Sequence, residues 1–536
     1  MEKKHKYLHI CKIIRNFVAD LILYTMRIRI PALALLFIAL PLLAEVHITI
    51  NEPAATWTAQ KALGNYVGQT VIFDVPLVVC SNENGNIKVS PWRAFQPQSQ
   101  GFIGSDGYTT AAHINNTCRF SLTGLSGYHR CGEKIYGLKA RVNSTNSLAF
   151  IEGEWRGNTR ADLEAALPEL GDYRLLVCAM NLENYFVRNL GPSYLGPDSY
   201  AEHQKQRTKV RKALAQINAD IFGLVELEEG DDAVEEIVSD LNNAHPERNY
   251  KFFRDPSSGS NQKSDYVYDA NTVEPIGFPV EINTELVNRK KMLCFREKAT
   301  GEKFIYSINH FKAMNTGDEA RRVREATAVM DIYKSYRSNP SVHDKDALFM
   351  GDLNCYAFTD PIAVFTKHDM IDLHRAHHAD SSYSYMYSSL ASYIDHALCN
   401  ETMYPQITGM AAYHINSDED DRYNYERSSD NTMFRCSDHD PVLVGLKLDS
   451  TLIYDPSPQI NSAEVFKGNA NQLVIRNAHS DGQQSYYAIY TVNGWLVERK
   501  EIESAYYEVN LPSTPGTYIV YIYYDGQAYQ RRLIVR

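Results

Sequence analysis

The strongest constraint in this sequence is the alternation of strand-like and helix-like segments between residues 170 and 450. YRLLVCAMNL at 173–182 and DIFGLVEL at 220–227 are apolar runs typical of strands, whereas YAEHQKQRTKVRKALAQINA at 200–219 has helical periodicity. This alternation predicts an α/β domain built of layers. Sheets of this kind place their ligand sites at the ends of strands.

The segments on either side have a different pattern. Residues 45–165 are rich in β-formers separated by Gly, Asn and Ser, which predicts a small barrel or sandwich, with an OB-like barrel as one option. DPSPQ lies within a predicted linker at 451–460, and short strand-like runs fill 461–536. Asn-Gly and Asp-Gly pairs in that last region are strong hairpin signals, so we expect an antiparallel sandwich there.

Residues 1–44 have the order of a secretory signal. MRIRI precedes the apolar run IPALALLFIALPLL at 30–43, and a small residue, Ala44, follows it. The run is shorter than the roughly 20 residues of a membrane-spanning helix and contains two prolines, so we prefer cleavage over a retained anchor. Met26 is an alternative start to Met1, because the preceding residues add nothing that a signal needs.

Composition excludes several classes of protein. Hydrophobic residues are 44% and charged residues 22%, which excludes a disordered or collagen-like chain, and a mean hydropathy of −0.37 excludes a polytopic membrane protein. The net charge is −11, and it becomes −16 without residues 1–44, which hold seven basic and two acidic residues. The mature chain is therefore not a polycation that coats nucleic acid by charge alone.

Eight cysteines remain after the signal is removed, and an oxidising compartment would permit disulfides among them. Cys178, Cys355 and Cys399 lie in or beside apolar strands and are predicted to be buried thiols. Cys118 and Cys131 are close enough in sequence to form a disulfide, although spacing alone does not establish one. The chain has no CxxC pair, which disfavours a zinc ribbon.

Polar side chains end several strands of the central domain. They are Asn181, Glu226, His310, Asp352, Asn354, Asp395, Asp438 and His439. Carboxylate and amide oxygens suit a hard cation, Mg²⁺, Mn²⁺ or Ca²⁺, and histidine suits acid–base work near neutral pH. A divalent cation flanked by such groups indicates phosphoester hydrolysis.

The ordered series NLEN, GLVELE, NHFK, MGDLN, YIDH and SDHDP resembles the endonuclease/exonuclease/phosphatase superfamily over about 280 residues. The resemblance implies a four-layer α/β sandwich. INHFKAM, EARRVREA and HINSDEDDRYNYE are similar to segments of the large secreted bacterial nucleases of that superfamily.

The resemblance also implies roles. Glu226 would be the main metal ligand, with Asn181 near the metal and Asp438 completing the metal or water site. Asp352 and Asn354 would orient water and transition-state oxygens. His310 would contact the phosphate or act as the acid, and His439, oriented by Asp395, would be the general base or a phosphate partner; the alternative assignment of acid and base between the two histidines stays open.

Simpler interpretations exist for several of these residues. Glu226 could belong to a solvated acidic cluster, and Asp352 and Asn354 could be turn-formers, although the motif order argues against both. His396 should point away from Asp395 and be structural. The basic helix at 205–212 is expected to be a solvated face.

Arg321 and Arg322 are the better candidates for binding a phosphate backbone. The stretch YSYMYSSLASY at 383–393 could stack bases or sugars, but packing beside Asp395 is the preferred interpretation.

The C-terminal region carries a second resemblance. VNGWLVERKEI, LPSTPGTYIVYIYYDG and the basic strand QRRLIVR are similar to the sorting domain of the type IX secretion route, which implies contact with that secretion machinery. An accessory adhesion sandwich is the alternative.

Together these features predict a secreted or cell-surface phosphodiesterase with Mg²⁺ as cofactor (Mn²⁺ or Ca²⁺ as alternatives). DNA or RNA is the expected substrate. A phosphatase or sphingomyelinase-like phospholipid phosphodiesterase is the alternative, and a non-enzymatic surface binder is a further one.

Overall fold

The computed structural model describes residues 45–448, apart from positions 84, 101–104, 256–260, 316, 343 and 379–380, together with the strands of 464–535. The predicted signal at 1–44 and the linker at 451–460 lie outside the described residues. The domain boundaries stay a prediction.

The N-terminal region is a β-barrel. Its strands and helices are β1 Val46–Ile48, α1 Ala59–Leu63, β2 Thr70–Phe73, β3 Leu77–Glu83, β4 Asn86–Ser90, α2 Pro97–Gln100, α3 Ser105–Thr117, β5 Phe120–Thr123, β6 Lys134–Ser144, β7 Ser147–Arg156 and α4 Arg160–Ala165. The strand order is β1-β2-β6-β3-β4-β5-β7, and β7 also pairs with β6. This extra pairing closes β6, β3, β4, β5 and β7 into a ring, which makes the sheet a barrel. The prediction of a β-rich N-terminal region is confirmed.

The central domain contains two six-stranded sheets. The first sheet and its helices comprise β8 Leu175–Tyr185, α5 Tyr200–Ile217, β9 Ile221–Glu228, α6 Asp232–Ala244, β10 Tyr250–Phe252, β11 Gln262–Asp269, β20 Ile407–Ala412 and β21 Val442–Leu446. Its order is β10-β11-β9-β8-β21-β20, with β8 and β9 parallel.

The second sheet faces the first. With its helices and a small hairpin it comprises β12 Val273–Glu281, β13 Lys290–Glu297, β14 Lys303–His310, α7 Glu319–Tyr336, β15 Ala347–Asp352, α8 Asp360–Lys367, β16 Ile371–Asp372, α9 Leu373–His378, β17 Tyr385–Tyr387, β18 Leu390–Ser392 and β19 Asp395–Cys399. Its order is β12-β13-β14-β15-β19-β16, with β14 and β15 parallel.

Packing makes the four-layer sandwich that the resemblance implies. Side chains of α5 and α6 share a buried core with the outer face of the first sheet, and those of α7 and α8 do so on the second. A third core fills the space between the sheets. There Gly223 allows the sheets to approach closely, because a Cβ at this position would lie 2.2 Å from the Tyr306 hydroxyl. The predicted fold class is confirmed.

The basic helix departs from its predicted solvated face. Its Lys209 is fully buried, and its ammonium donates to the Phe434 carbonyl at 2.8 Å. Arg207 pairs with both carboxylate oxygens of Asp240 at 2.8 Å. These two charged side chains therefore hold the helix against neighbouring segments. The spacing of the basic residues alone does not reveal these contacts.

The segment 414–426 joins the barrel to the central domain. Asp418 is fully buried, forms an ion pair with Arg93 and accepts a hydrogen bond from Asn158 Nδ2 at 2.7 Å. The neighbouring Glu419 lies 2.8 Å from the Nε of Arg130, which is also fully buried. The motif HINSDED, which the sequence associates with nucleases, therefore carries the charged contact between two domains.

The C-terminal region forms two antiparallel sheets. Their strands are β22 Glu464–Lys467, β23 Gln472–Arg476, β24 Tyr486–Thr491, β25 Leu496–Glu501, β26 Tyr506–Asn510, β27 Gly516–Tyr524 and β28 Gln527–Val535. The orders are β22-β23-β26 and β25-β24-β27-β28. Both predicted hairpins have their flanking strands paired, β24 with β25 and β27 with β28; the turns themselves lie outside the described residues.

The cysteines of the described residues are free and buried. The candidate disulfide between Cys118 and Cys131 is not formed, and the Cys118 thiol instead donates to the Trp57 carbonyl at 3.2 Å. Within the described part of the chain, no helix combines the length and the apolar character needed to cross a bilayer.

Candidate active site

Strand register brings the predicted polar residues together at one end of the sandwich. In the second sheet, His310, Asp352 and Asp395 occupy paired positions on the neighbouring strands β14, β15 and β19. In the first sheet, Asn181 of β8 is paired with Val225, the residue before Glu226. The carboxyl ends of the parallel strands thus converge where the two sheets meet.

Irregular backbone conformations set the orientation of the acidic side chains in the first sheet. Glu226 has φ 63°, and the pairing of β9 with β11 shifts register around it. On β8, Glu183 and Asn184 have φ 50° and 58°, where the register with β9 also shifts. Bulges of this kind redirect side chains and are common beside active sites. The Asn184 N–H donates to Glu226 at 3.0 Å, which ties the two bulges together.

Asp352 is the hydrogen-bonding centre of the site. It accepts from the Asn354 backbone N–H at 2.8 Å, from the Asn354 side-chain amide at 2.9 Å and from Asn181 Nδ2 at 3.2 Å. The preceding Gly351 has φ 121°, and a Cβ there would lie 2.1 Å from the Asn309 carbonyl. The glycine of MGDLN therefore lets the strand carrying Asp352 lie against its neighbour.

A histidine–carboxylate pair lies beside Asp352. His439 Nδ1 is 2.8 Å from Asp395 Oδ2, and the Ser384 hydroxyl donates to the same carboxylate at 2.7 Å. The other ring nitrogen, Nε2, is 3.8 Å from Asp438. His310 lies opposite, with Nε2 at 3.5 Å from Glu226 and 3.8 Å from Asp352. Asp395 therefore orients the His439 ring, whereas His310 Nδ1 has no hydrogen-bond partner among the described residues.

The carboxylates of the site lie close enough to one another for their negative charges to repel. Burial and the neighbouring Asp438 raise the pKa of Glu226 above its usual value. Burial, together with Asp395 and Glu226, likewise raises the pKa of Asp352. Carboxylates held this close disfavour their own ionised forms. A bound cation would relieve this repulsion.

The pKa values of the two histidines are shifted in opposite directions. Burial lowers the pKa of His310 well below its usual value, and the nearby Arg289 lowers it further. For His439, burial opposes the charged form, but Asp395, Asp438 and Asp352 overcome it and hold the pKa well above its usual value. These opposite shifts favour the neutral form of His310 and the protonated form of His439.

The site residues suit a divalent cation. Glu226, His310 and Asp352 each offer a ligand atom, and these atoms lie within 4.8 Å of one another; Asp352, Asp395 and His439 form a second group of this kind. Oxygen donors dominate both groups, as a hard cation prefers. Asn181 lies against the first group through Asp352. The metal role predicted for Asn181, Glu226 and Asp438 stays a prediction.

Arg321 and Arg322, the two arginines predicted to bind substrate, have different environments. Arg322 is buried, and its guanidinium donates to the carbonyls of Lys312 and Ala313 at 3.3 and 3.2 Å. It therefore holds the loop after His310, and the phosphate contact predicted for Arg322 stays a prediction. Arg321 is half-buried and close enough to Arg289 for their charges to interact.

Sequence reasoning missed three groups. Arg289 interacts electrostatically with Glu226 and Asp352, so it adds a cation at the site. Glu183 adds a further carboxylate, and burial, followed by the nearby charge of Asp438, raises the pKa of Glu183 to about 8. The Tyr385 ring lies 4.8 Å from that of His439. Arg289 directly precedes its strand, so the pattern of polar residues at strand ends does not single it out. The other two were within NLEN and the tyrosine-rich stretch, where the motifs themselves were a usable signal.

Residues 195–439 match the model of the Endonuclease/Exonuclease/phosphatase family. This match contains all the predicted site residues except Asn181, and it supports the resemblance for this part of the chain. No curated protein matches the sequence.

Three solved structures are similar to about half of this chain. One is an endonuclease/exonuclease/phosphatase from Bacteroides vulgatus, at 18% identity and TM-score 0.37, covering 51% of this chain and 99% of that one. Another is a mannosyl-6-phosphatase from Bacteroides thetaiotaomicron, at 19% and 0.38, covering 51% and 100%. The third is the human Nocturnin catalytic domain with bound sulfate, at 14% and 0.36, covering 51% and 94%.

Proposed function

We propose that the protein is a secreted nuclease that hydrolyses phosphodiester bonds of extracellular DNA or RNA with the help of a divalent cation. The observation that carries this proposal is the convergence of Glu226, His310, Asp352 and the Asp395–His439 pair at one end of the sandwich. Residues 30–44 and the C-terminal strands supply the export part of the proposal, with the C-terminal domain as the region that the secretion machinery would recognise.

The residues divide the chemical work by position. Glu226 and Asp352, with Asn181 and Asp438 beside them, would hold a cation such as Mg²⁺, which when bound neutralises the charge of a phosphate. Asp395 fixes His439 Nδ1, which leaves Nε2 directed toward the substrate side. His439 would bind a phosphate oxygen or exchange a proton with the attacking water or the leaving oxygen. His310, on the opposite side of the site, would take the complementary role.

One observation favours a second candidate. The net charge of −16 without residues 1–44 opposes binding of a long polyanion, and it favours a smaller phosphate ester. A phosphatase, or a phosphodiesterase acting on a phospholipid such as sphingomyelin, would use the same residues. The nuclease interpretation places the required positive charge locally, on Arg289 and Arg321.

A substrate panel separates these candidates. The full chain would be assayed with Mg²⁺ on plasmid DNA, a single-stranded oligonucleotide, RNA, mannose 6-phosphate and sphingomyelin vesicles. We expect hydrolysis of nucleic acid at a kcat/KM at least a hundredfold above that of the other substrates. Hydrolysis of the monoester or the lipid alone, by protein shown to be folded by circular dichroism, would contradict the nuclease proposal.

A further inference from the structure

A small hairpin made of β17 and β18 lies against the candidate active site. Tyr385 pairs with Ser392 across it and also forms a backbone bridge to His439. Alternate residues of a strand point to opposite faces. Met386 faces the barrel, where its sulfur accepts a hydrogen bond from Arg93 at 3.2 Å. Tyr385 and Tyr387 therefore share the other face, the one on which Tyr385 covers His439.

The N-terminal barrel holds this hairpin in place. The Ala391 N–H donates to the Ala94 carbonyl at 3.0 Å, and the Gln96 N–H donates to the Ala391 carbonyl at 2.8 Å. The turn residues Ser388 and Ser389 have φ 50° and 62°. Such a turn normally takes Asn-Gly, because side chains other than Gly or Asn are strained there. Arg119 of the barrel donates to the Ser389 carbonyl at 3.3 Å and stabilises the turn.

The second ring on this face, that of Tyr387, is exposed to solvent. Tyr387 is 65% exposed, although the ring two residues before it is packed on His439. Along a strand, residues two apart are separated by about 6.6 Å, which is close to the spacing of successive nucleotides in an extended single strand. A second tyrosine pair, Tyr108 of the barrel and Tyr356 after the MGDLN motif, lies near the same site, and Tyr108 is 45% exposed.

We propose that Tyr385 and Tyr387 form a stacking strip for unpaired nucleobases beside the reacting phosphate, so that the preferred substrate is single-stranded nucleic acid. This inference rests on the proposed nuclease function and specifies its substrate. Bases in a duplex are stacked on each other and cannot lie on these rings, whereas bases of a single strand stack on aromatic side chains with little regard to sequence. The barrel, through its contacts with the hairpin, is then part of the substrate site.

The test compares two strands that differ only in their bases. One is a labelled single-stranded oligonucleotide, and the other has the same sugar-phosphate backbone with abasic residues throughout. The full chain, Tyr387→Ala and Tyr387→Phe would each be assayed on both with Mg²⁺. Phe278→Ala is the matched control, because Phe278 is an exposed ring (83%) on β12, the edge strand of the second sheet.

We expect Tyr387→Ala to raise KM for the base-bearing strand by about five- to a hundredfold, the usual effect of losing one stacked base, and to leave KM for the abasic strand unchanged. Tyr387→Phe and Phe278→Ala should behave like the parent. A change of less than twofold on the base-bearing strand, an equal change on both strands, or a parent that cuts duplex as efficiently as single strand would overturn the inference. A parent that cuts no nucleic acid would instead overturn the proposed function.

Discussion

Asp395 and His439 come from segments 44 residues apart, yet the Asp395 carboxylate lies 2.8–3.0 Å from His439 Nδ1, with the Tyr385 ring packed beside the imidazole. Asp395 fixes the orientation of the imidazole and raises the pKa of His439. Orientation by a buried carboxylate is how histidine bases and acids are commonly prepared for proton transfer.

Asp395→Asn should remove the charge and retain the shape. We expect kcat on an oligonucleotide to fall by about 10²- to 10⁴-fold while KM changes little, because His439 loses the partner that orients and charges it. NMR titration of His439 should show a lower pKa, since Asp395 is the strongest of the groups that raise it. An unchanged kcat would contradict this role.

Glu226→Gln should abolish binding of the divalent cation. Titration calorimetry with Mn²⁺ would measure it, and activity need not be present for the readout. Glu235→Gln is the matched control, because Glu235 is a surface carboxylate paired with Arg254 and belongs to neither group of potential ligand atoms. Unchanged Mn²⁺ affinity in Glu226→Gln would remove this residue from the metal site.

Gly351→Ala tests the backbone approach beneath Asp352. The added Cβ would overlap the Asn309 carbonyl at 2.1 Å, so strands β14 and β15 must separate. We expect a clear fall in the melting temperature together with loss of activity. In Gly301→Ala the residue also has positive φ, but nothing lies within 4 Å of the new Cβ, and it should lose only about 1–2 kcal/mol. Equal stability losses in the two variants would argue against the close approach.

Asp418→Asn should loosen the contact between barrel and central domain. Breaking a buried ion pair leaves Arg93 uncompensated, and we expect a loss of about 3–5 kcal/mol in the free energy of unfolding. The exposed pair of Glu52 and Lys61 supplies the control, because Glu52→Gln should cost at most about 1 kcal/mol. Urea unfolding followed by tryptophan fluorescence would measure both.

The same pair predicts a dependence of stability on pH. Burial opposes ionisation of Asp418, but Arg93, His414, Arg130 and the hydrogen bond from Tyr383 together outweigh it and lower the pKa of Asp418 below the ordinary 3.8. A carboxyl with a depressed pKa in the folded state stabilises the protein above 3.8, and this contribution is lost as the pH falls through the folded value. The difference in stability between parent and Asp418→Asn should therefore be constant above pH 5 and shrink on acidification. A difference that persists at pH 2 would contradict the electrostatic explanation.

The sequence predicted the layers and most of the site because both depend on local patterns. Apolar runs locate β8, β9, β14 and β15, and the ends of parallel strands converge in any sheet of this type. What it could not predict depends on contacts between distant segments. The buried ion pair of Asp418 and Arg93 joins residues that are 325 positions apart in the sequence. The sequence likewise does not distinguish Arg322 from its neighbour Arg321, because the guanidinium of Arg322 is buried by its contacts with the loop at 312–313.

The tyrosine-rich stretch shows the same limit within one segment. Packing was the preferred interpretation, and it holds for Tyr383 and Tyr393, which are buried. It fails for Tyr387, which is exposed because the alternation of the strand turns it to the face opposite Met386. Only the position of the barrel decides which face of the hairpin is covered.

The central claim is that a divalent cation and His439 act together in phosphodiester hydrolysis at this site. The most direct test measures cleavage of a single-stranded oligonucleotide by the full chain, first with Mg²⁺ and then with EDTA. The same assay with Mg²⁺ is repeated for His439→Ala. We predict cleavage by the parent with Mg²⁺, none with EDTA, and a loss of at least 10²-fold in His439→Ala with the fold retained. Cleavage that survives both EDTA and His439→Ala would show that hydrolysis does not take place at this site.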